Sequence, residues 1–313
     1  MNIPTLAQGI IKDYALDTYL LTWIEAFLFY RKAQNLAKGT LDFYRRHLNI
    51  FIKFCDSQVI TQIDQLDPNT IRKYLIWLEE KGHNPGGISA AYRSLRAFLY
   101  WWEEEFEPEG WKNPIRKVKA PKVSLEPLEP VPLDTIIALC EACPKTTFTG
   151  VRDRAIFLTL LDTGARASEF LNINLEDINP ITGEILIREG KGRKPRTVFI
   201  GQKSRKALRK YLRLRNNDQS ALWVTKDQTQ RYSYYGLKSM VVRRSRSAGV
   251  ETPALHAFRR QFALSCLRSG MNVYYLQTLM GHSGLQVLQR YLKQTTKDVS
   301  NAHRQAGPVD NSL

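Results

Sequence analysis

The stretch from His256 to Tyr291, HAFRRQFALSCLRSGMNVYYLQTLMGHSGLQVLQRY, decides how this 313-residue sequence reads. Its apolar residues Phe262, Leu264, Leu267, Val273, Leu276, Leu279 and Met280 recur at helical spacing, which predicts two short helices broken at Gly270. Polar groups are set on that scaffold: His256 with Arg259 and Arg260 just after it, then His282, then Tyr291 nine residues further on. At roughly 100° per residue, one straight helix carrying both His282 and Tyr291 would put them on opposite faces. Either the chain breaks between Gly281 and Gly284, which the two glycines favour, or Tyr291 serves the site of another subunit.

Upstream of this stretch, DTIIALCEAC and VRDRAIFLTLLDTG read as two helices, with Asp134 as the N-cap of the first and Gly164 ending the second. GEILIRE and RTVFIG are β-branched runs around Gly190 and Gly192 and predict a small hairpin or meander, whose tip GKGRKPR carries four cations. Helices resume with SRKALRKYLRLRN and SYYGLKSMVVRRSRSAG. The tail beyond Tyr291 is polar, with room for one short helix.

The N-terminal half reads as four helices, LTWIEAFLFYRKAQNL, TLDFYRRHLNIFIKFCDSQ with Thr40 as N-cap, NTIRKYLIWLEEKG opened by Asp67-Pro68, and ISAAYRSLRAFLYWWEEE. Trp101 and Trp102 fall at helical spacing and read as core packing, not as stacking platforms. Between the halves, NPIRKVKAPKVSLEPLEPVP is proline-rich and has no sustained period, the mark of a boundary. The chain therefore divides into a helical domain over 1–118, a basic linker over 119–132 and a second domain over 133–313. The fold class is mainly α with a small β-sheet.

Charge separates the two halves. The net charge is +16, yet residues 1–118 hold 15 Lys and Arg against 14 Asp and Glu, while residues 119–313 hold 31 against 16. An excess concentrated in one domain suits phosphate neutralisation by counterion release. Lys38, Arg45, Arg93 and Arg96 on N-terminal helices, Lys119 in the linker, Arg193 and Lys194 at the hairpin tip, and Lys238, Arg243 and Arg244 on a later helix are candidate phosphate contacts. A solvated helix face explains any one of them equally well.

No apolar run approaches the roughly 20 residues that span a bilayer, and the N-terminus mixes acids with apolar residues, unlike a signal peptide; a soluble, cytoplasmic protein is expected. Four scattered cysteines make no disulfide framework. The lone CxxC of Cys140 and Cys143 has no second pair or nearby histidine to complete a zinc site, so reduced structural thiols are expected.

Taken in order, TGARASE around Arg166, a glycine-flanked Lys191, HAFR with His256 and Arg259, and LMGHSGLQVLQRY with His282 and Tyr291 resemble the boxes of the tyrosine recombinases, the phage integrase and Xer-like enzymes. The resemblance covers essentially the whole chain, because the four N-terminal helices look like that family's core-site binding domain. It implies an enzyme that cuts and rejoins DNA through a 3′-phosphotyrosyl bond, with Tyr291 as nucleophile and no metal, ATP or other cofactor. It further implies that Arg166, Arg259 and His282 stabilise the phosphorane-like state, that Lys191 is the general acid and that His256 is a base or an orienter, with Glu169 in support. Guanidiniums suit that task, since they offer bidentate contacts to phosphate oxygens that lysine cannot reproduce. Implied partners are duplex DNA with inverted-repeat core sites and three further copies of the chain in a homotetramer, monomeric or weakly associated off DNA, with the C-terminal tail contacting a neighbouring protomer. The absence of an arm-binding segment before residue 15 and the GPVDNSL ending favour a mobile-element integrase over a chromosome-dimer resolvase.

Rival residues stay open at this point. Lys194 competes with Lys191, Arg260 competes with Arg259 outside the H-x-x-R spacing, and Tyr274 and Tyr275 lie upstream of the GHS turn, where they read as helix packing. Arg166 and Glu169 also fit an ordinary i,i+3 pair, and His256 fits a helix cap. Two other functions remain: a type IB topoisomerase, which shares the chemistry, and a catalytically silent DNA-binding or architectural protein.

Overall fold

The computed structural model describes residues 19–123, 129–188 and 195–281, with isolated positions at 300, 303, 304, 307 and 309. Lys191, Arg193, Lys194, His282 and Tyr291 lie outside the described residues. The chain forms two compact units, Met1–Leu125 and Glu126–Leu313.

The first unit holds α1 (Leu20–Ala33), α2 (Lys38–Ser57), α3 (Pro68–Glu80) and α4 (Pro85–Phe106). Two starts follow directly from their residues. The Asp67 side chain accepts from the Thr70 N–H at 2.6 Å and the Asn84 side chain from the Gly87 N–H at 2.8 Å, each with a proline in the first turn whose missing N–H leaves nothing unsatisfied. Thr40 is not the cap of α2: the helix starts two residues earlier behind Ala37, and Thr40 sits inside the first turn with its N–H on the Ala37 carbonyl.

Aromatic side chains fill the space between these helices, with Phe27, Phe51, Phe98 and Tyr74 fully buried. Trp101 and Trp102 belong to this core, Trp101 against Phe27 with ring centroids 5.5 Å apart and Trp102 against Trp23 at 6.3 Å. The proline-rich stretch is less extended than its composition suggests. Pro114–Lys117 form a 3-10 turn, and Ile115 and Val118 pack into the helical core.

The second unit is built round α6. Its described elements are α5 (Leu133–Glu141), α6 (Phe148–Thr163), the short α7 (Ala167–Leu171), β1 (Glu184–Ile187), β2 (Arg196–Phe199), α8 (Gln202–Arg213), α9 (Tyr234–Ala248), α10 (Leu255–Arg268) and α11 (Val273–Met280). The two strands pair antiparallel, Glu184 opposite Phe199 and Ile187 opposite Arg196. Asp134 lies within the first turn of α5 and Pro132 holds the cap position, so the carboxylate meets the positive end of the helix without capping it. Cys140 and Cys143 pack in this core, and burial pushes their thiols up to about 11 and about 12.

α6 is buried on nearly every side, including two charged residues. Asp153 is fully buried, and its carboxylate accepts from Arg152 at 2.8 Å and from Arg244 at 2.7 Å, while the Arg152 guanidinium lies 4.2 Å from the centroid of the Tyr232 ring. Arg244 is therefore a core residue joining α9 to α6 and not a phosphate contact, buried with its Nε and Nη2 on the Asp153 carboxylate. Arg243 beside it stays exposed and reaches the same carboxylate at 3.3 Å.

Removing Asp153 would strand two buried guanidiniums. Asp153→Ala should lower unfolding free energy by about 3–5 kcal/mol, the usual cost of breaking a buried ionic cluster from one side. Urea denaturation checks this, and a loss below about 1 kcal/mol, the size of an exposed pair, would mean that the cluster contributes little.

Candidate functional site

Two helix ends and one strand converge on a single carboxylate. α6 ends at Gly164, whose φ of +56° is left-handed backbone, and a Cβ there would meet the Phe262 ring of α10 at 2.1 Å. Glycine thus serves twice: it turns the chain and lets α6 approach α10. Two residues later Arg166 stands at the N-cap of α7, which buries Glu169.

Glu169 makes contacts on both oxygens. Oε1 accepts from Arg166 Nη1 at 2.7 Å, and Oε2 accepts from the Arg166 backbone N–H at 3.1 Å and from Arg196 Nη2 at 2.6 Å. Burial by itself would raise this carboxyl. The hydrogen bond and charge of Arg196, then the hydrogen bonds from Arg166, override burial and hold the pKa at about 2. Glu169 is therefore ionised and fixes the Arg166 side chain from below while that side chain stays 28% exposed.

Arg259 braces the same corner from α10. Its guanidinium is buried, with Nη1 donating to the Gly164 carbonyl at 2.6 Å and Nη2 to the Met280 carbonyl at 2.6 Å. It thereby ties the end of α6 to the end of α11. Each terminal nitrogen carries a second N–H, so two backbone bonds do not exhaust the fork. Arg260 lies on a different side of α10 and donates to the Glu129 carbonyl at 3.3 Å.

His256 sits in the first turn of α10 behind the cap residue Ala254, so it is not the cap. Partial burial, then the charges of Arg260, Arg259 and Arg166, push its pKa down to about 4. The residue keeps solvent contact, which screens those charges in part, and the ring is neutral at pH 7.

Arg196 was not among the candidates drawn from sequence. It lies on β2 with its side chain 7% exposed, between Glu169 and the Leu279 carbonyl, to which Nε donates at 2.8 Å. The signal was available in the strand period. Arg196 and Val198 share one face of β2, and Val198 is buried, so a cation on that face requires a buried partner.

The structure thus gathers Arg166, Glu169, His256 and Arg259 round the α6–α7 corner. α11 closes at Gly281, in left-handed backbone with φ +61°, one residue before His282; the break expected between His282 and Tyr291 lies outside the described residues. Tyr274 and Tyr275 are not packed as the sequence suggests. They are 63% and 71% exposed, because α11 buries the face defined by Leu276 and Met280 and both tyrosines fall off it. Of the remaining basic candidates, Lys38, Arg45, Arg93, Arg96, Lys119 and Lys238 are exposed. α2 and α4 bring some of their cations together. Arg93 lies 6.0 Å from the Phe43 ring centroid, and His47 is held below its usual pKa by burial, then by the charges of Arg46, His83 and Arg93.

Residues 130–298 match the model of the phage integrase family, and residues 23–105 match that of the phage integrase N-terminal SAM-like domain. The chain belongs to the phage integrase family. It is a tyrosine recombinase, of the enzyme class that cleaves and rejoins DNA. Among its relatives, the tyrosine recombinase XerC of Oceanobacillus iheyensis is 30% identical over 311 residues, covering 95% of this chain and 98% of the relative. The tyrosine recombinase XerA of Pyrococcus furiosus is 29% identical over 296 residues, covering 93% and 96%. The fold matches the Tn1549 transposon integrase in complex with a circular intermediate DNA, with a TM-score of 0.76 at 17% identity, covering 92% of this chain and 99% of that one. It also matches a lambda integrase dimer bound to a COC′ core site, with a TM-score of 0.73 at 13% identity, covering 87% and 95%. Among the described residues, no helix of this recombinase is long and apolar enough to cross a membrane.

The depressed carboxyl gives a pH signature. Glu169 binds fewer protons folded than unfolded between pH about 2 and the ordinary glutamate range near 4.5, so its contribution is complete above that range and is lost as pH falls through it. The loss should amount to about 3 kcal/mol across this window. Glu169→Gln should flatten that part of the stability–pH curve in thermal melts. An unchanged slope would assign the acid sensitivity to other carboxylates.

Proposed function

We propose that this phage integrase family member is a site-specific DNA recombinase that cleaves through Tyr291. The observation that carries the reading is the α6–α7 corner, where Glu169 holds Arg166 and Arg259 braces the backbone two residues away. Tyr291 Oη attacks the scissile phosphorus, the P–O5′ bond breaks, and the 3′-phosphate remains on the tyrosine. The free 5′-hydroxyl of a partner strand then reverses the step. The phosphotyrosyl bond conserves the energy of the broken linkage, so the cycle needs no nucleotide cofactor.

Each residue has a part. Arg166 and Arg259 donate to the non-bridging oxygens as charge develops on them, with His282 adding a further donor; each such contact is worth about 2.7–4 kcal/mol of barrier in comparable oxyanion sites. Lys191 protonates the leaving 5′-oxygen. His256, neutral at pH 7, is able to accept a proton or hydrogen bond as the Tyr291 phenol, with a reference pKa of about 10, ionises. Glu169 and Arg196 are positioning residues, since they act through Arg166 and through the end of α11.

Duplex DNA supplies the substrate phosphates, with Lys38, Arg45, Arg93, Arg96, Lys119, Lys238, Arg243, Arg193 and Lys194 as backbone contacts outside the reaction centre. Four protomers acting on two duplexes with inverted-repeat core sites, linked through their C-terminal tails, would complete the assembly. The division into a core-site domain over 1–118, a linker over 119–132 and a catalytic domain over 133–313 fits this reading. A substrate of cellular DNA fits a cytoplasmic enzyme.

On a nicked suicide substrate, Tyr291→Phe should abolish covalent protein–DNA adducts while leaving DNA retention in mobility-shift assays unchanged. A mutant that still traps DNA would show the nucleophile to be another residue. Arg166→Lys should slow cleavage by about 10²- to 10³-fold, the usual loss of one oxyanion donor. A plasmid bearing two sites separates recombination from topoisomerase action, because relaxation without recombinant products would leave only the latter.

A further inference from the structure

A groove of about 850 Å³ runs between the first three turns of α6 and the length of α8, in the second unit alone. Its α6 lining spans Gly150 to Leu158 and so ends roughly 8 Å, or five residues, before the helix terminus that leads to Arg166. It is therefore a separate feature from the corner round Glu169.

Its lining is one-signed. Seven cationic side chains surround it, five from α8 and two, Lys145 and Arg154, from across the groove, with no carboxylate among them. α8 itself, QKSRKALRKYLR, contains no acid. Elsewhere in this unit three arginines with buried side chains have carboxylates, Arg152 and Arg244 sharing Asp153 and Arg196 with Glu169, while Arg259 donates to backbone carbonyls. Among the described residues, none of the seven groove cations is ion-paired. Two of them donate to backbone carbonyls, Arg154 to Cys140 and Lys210 to Lys145. A cluster of like charges in a concavity is self-repulsive and raises the local concentration of anions.

The floor is apolar, formed by the buried Val151 and the half-buried Leu158 and Ala207. That combination selects the class of occupant. A DNA duplex, far wider than an inter-helix groove, would touch the rim and leave the floor unfilled. Single-stranded nucleic acid is held by stacking its bases on aromatic rings, and no aromatic side chain lines the groove among the described residues. An acidic peptide with apolar anchors satisfies both parts, with its anchors on the floor and its carboxylates against the rim.

We propose that the α6–α8 groove is a docking site for an acidic amphipathic segment of a partner protein, a second input to the recombinase apart from its DNA face. Docking there would act on α6, the helix whose far end carries the Gly164 turn and Arg166.

The test uses the full chain and a fluorescent synthetic helix of alternating Glu and Leu heptads as probe, read by anisotropy. Binding should be saturable and salt-sensitive, and should weaken by about tenfold or more in Lys206→Glu/Arg213→Glu, two exposed positions on α8. A Glu-only peptide without anchors should bind about tenfold more weakly, because it leaves the floor empty. If the charge-reversed pair fails to fold, Lys206→Gln/Arg213→Gln makes the same comparison. Equal binding of the probe by wild type and variant overturns the proposal, as does equal binding of the Glu-only peptide. So does a non-core DNA duplex that loses affinity in the variant and competes the probe fully, which would make the groove a DNA contact. The Tyr291→Phe protein should bind the probe normally, so a failure of this proposal is distinguishable from a failure of the catalytic assignment.

Discussion

A buried carboxylate with two guanidiniums is the constraint on which the second unit depends. Glu169 is costly to bury as an anion, and only the simultaneous presence of Arg166 and Arg196 makes burial favourable. Arg166 belongs to the turn after α6 and Arg196 to β2, so the carboxylate forces a strand and a helix end that are far apart in sequence to meet. β2 begins at Arg196, so one ionic contact sets where the strand starts relative to Arg166.

Arg259 performs a related task with backbone partners. By donating to Gly164 and Met280 it fixes the ends of two helices, and α10 contributes the histidine of the same group one turn earlier. Electrostatics and architecture are therefore not separable here. The cations proposed to stabilise a transition state also hold the scaffold together, and a substitution at Arg259 would loosen the fold as well as the chemistry.

Much of the fold was legible in the sequence where local chemistry decides it. Asp67-Pro68 and the Gly164 and Gly281 stops are found where the residues place them, since caps and left-handed glycines act within one turn. The caps expected at Thr40 and Asp134 lie three and two residues earlier, at Ala37 and Pro132, because a capping-type residue fits the first turn nearly as well as the cap. Among the proposed site residues, Arg166, His256 and Arg259 converge, and their spacing in motif boxes was visible. Arg244 was misread because exposure cannot be told from charge alone: its partner Asp153 lies 91 residues away. Arg196 went unnoticed for the converse reason, since it stood among three other cations at the tip and only the alternation of β2 singled it out.

The grip on α11 has a consequence for how this enzyme can change. Arg196 and Arg259 hold carbonyl oxygens of Leu279 and Met280, which every amino acid supplies. The anchor is thus blind to the identity of the residues it holds, and drift at those positions is restrained by packing alone. Substitution at Leu279 or Met280 therefore leaves both bonds in place, and the end of α11 keeps its position while the side chains there exchange.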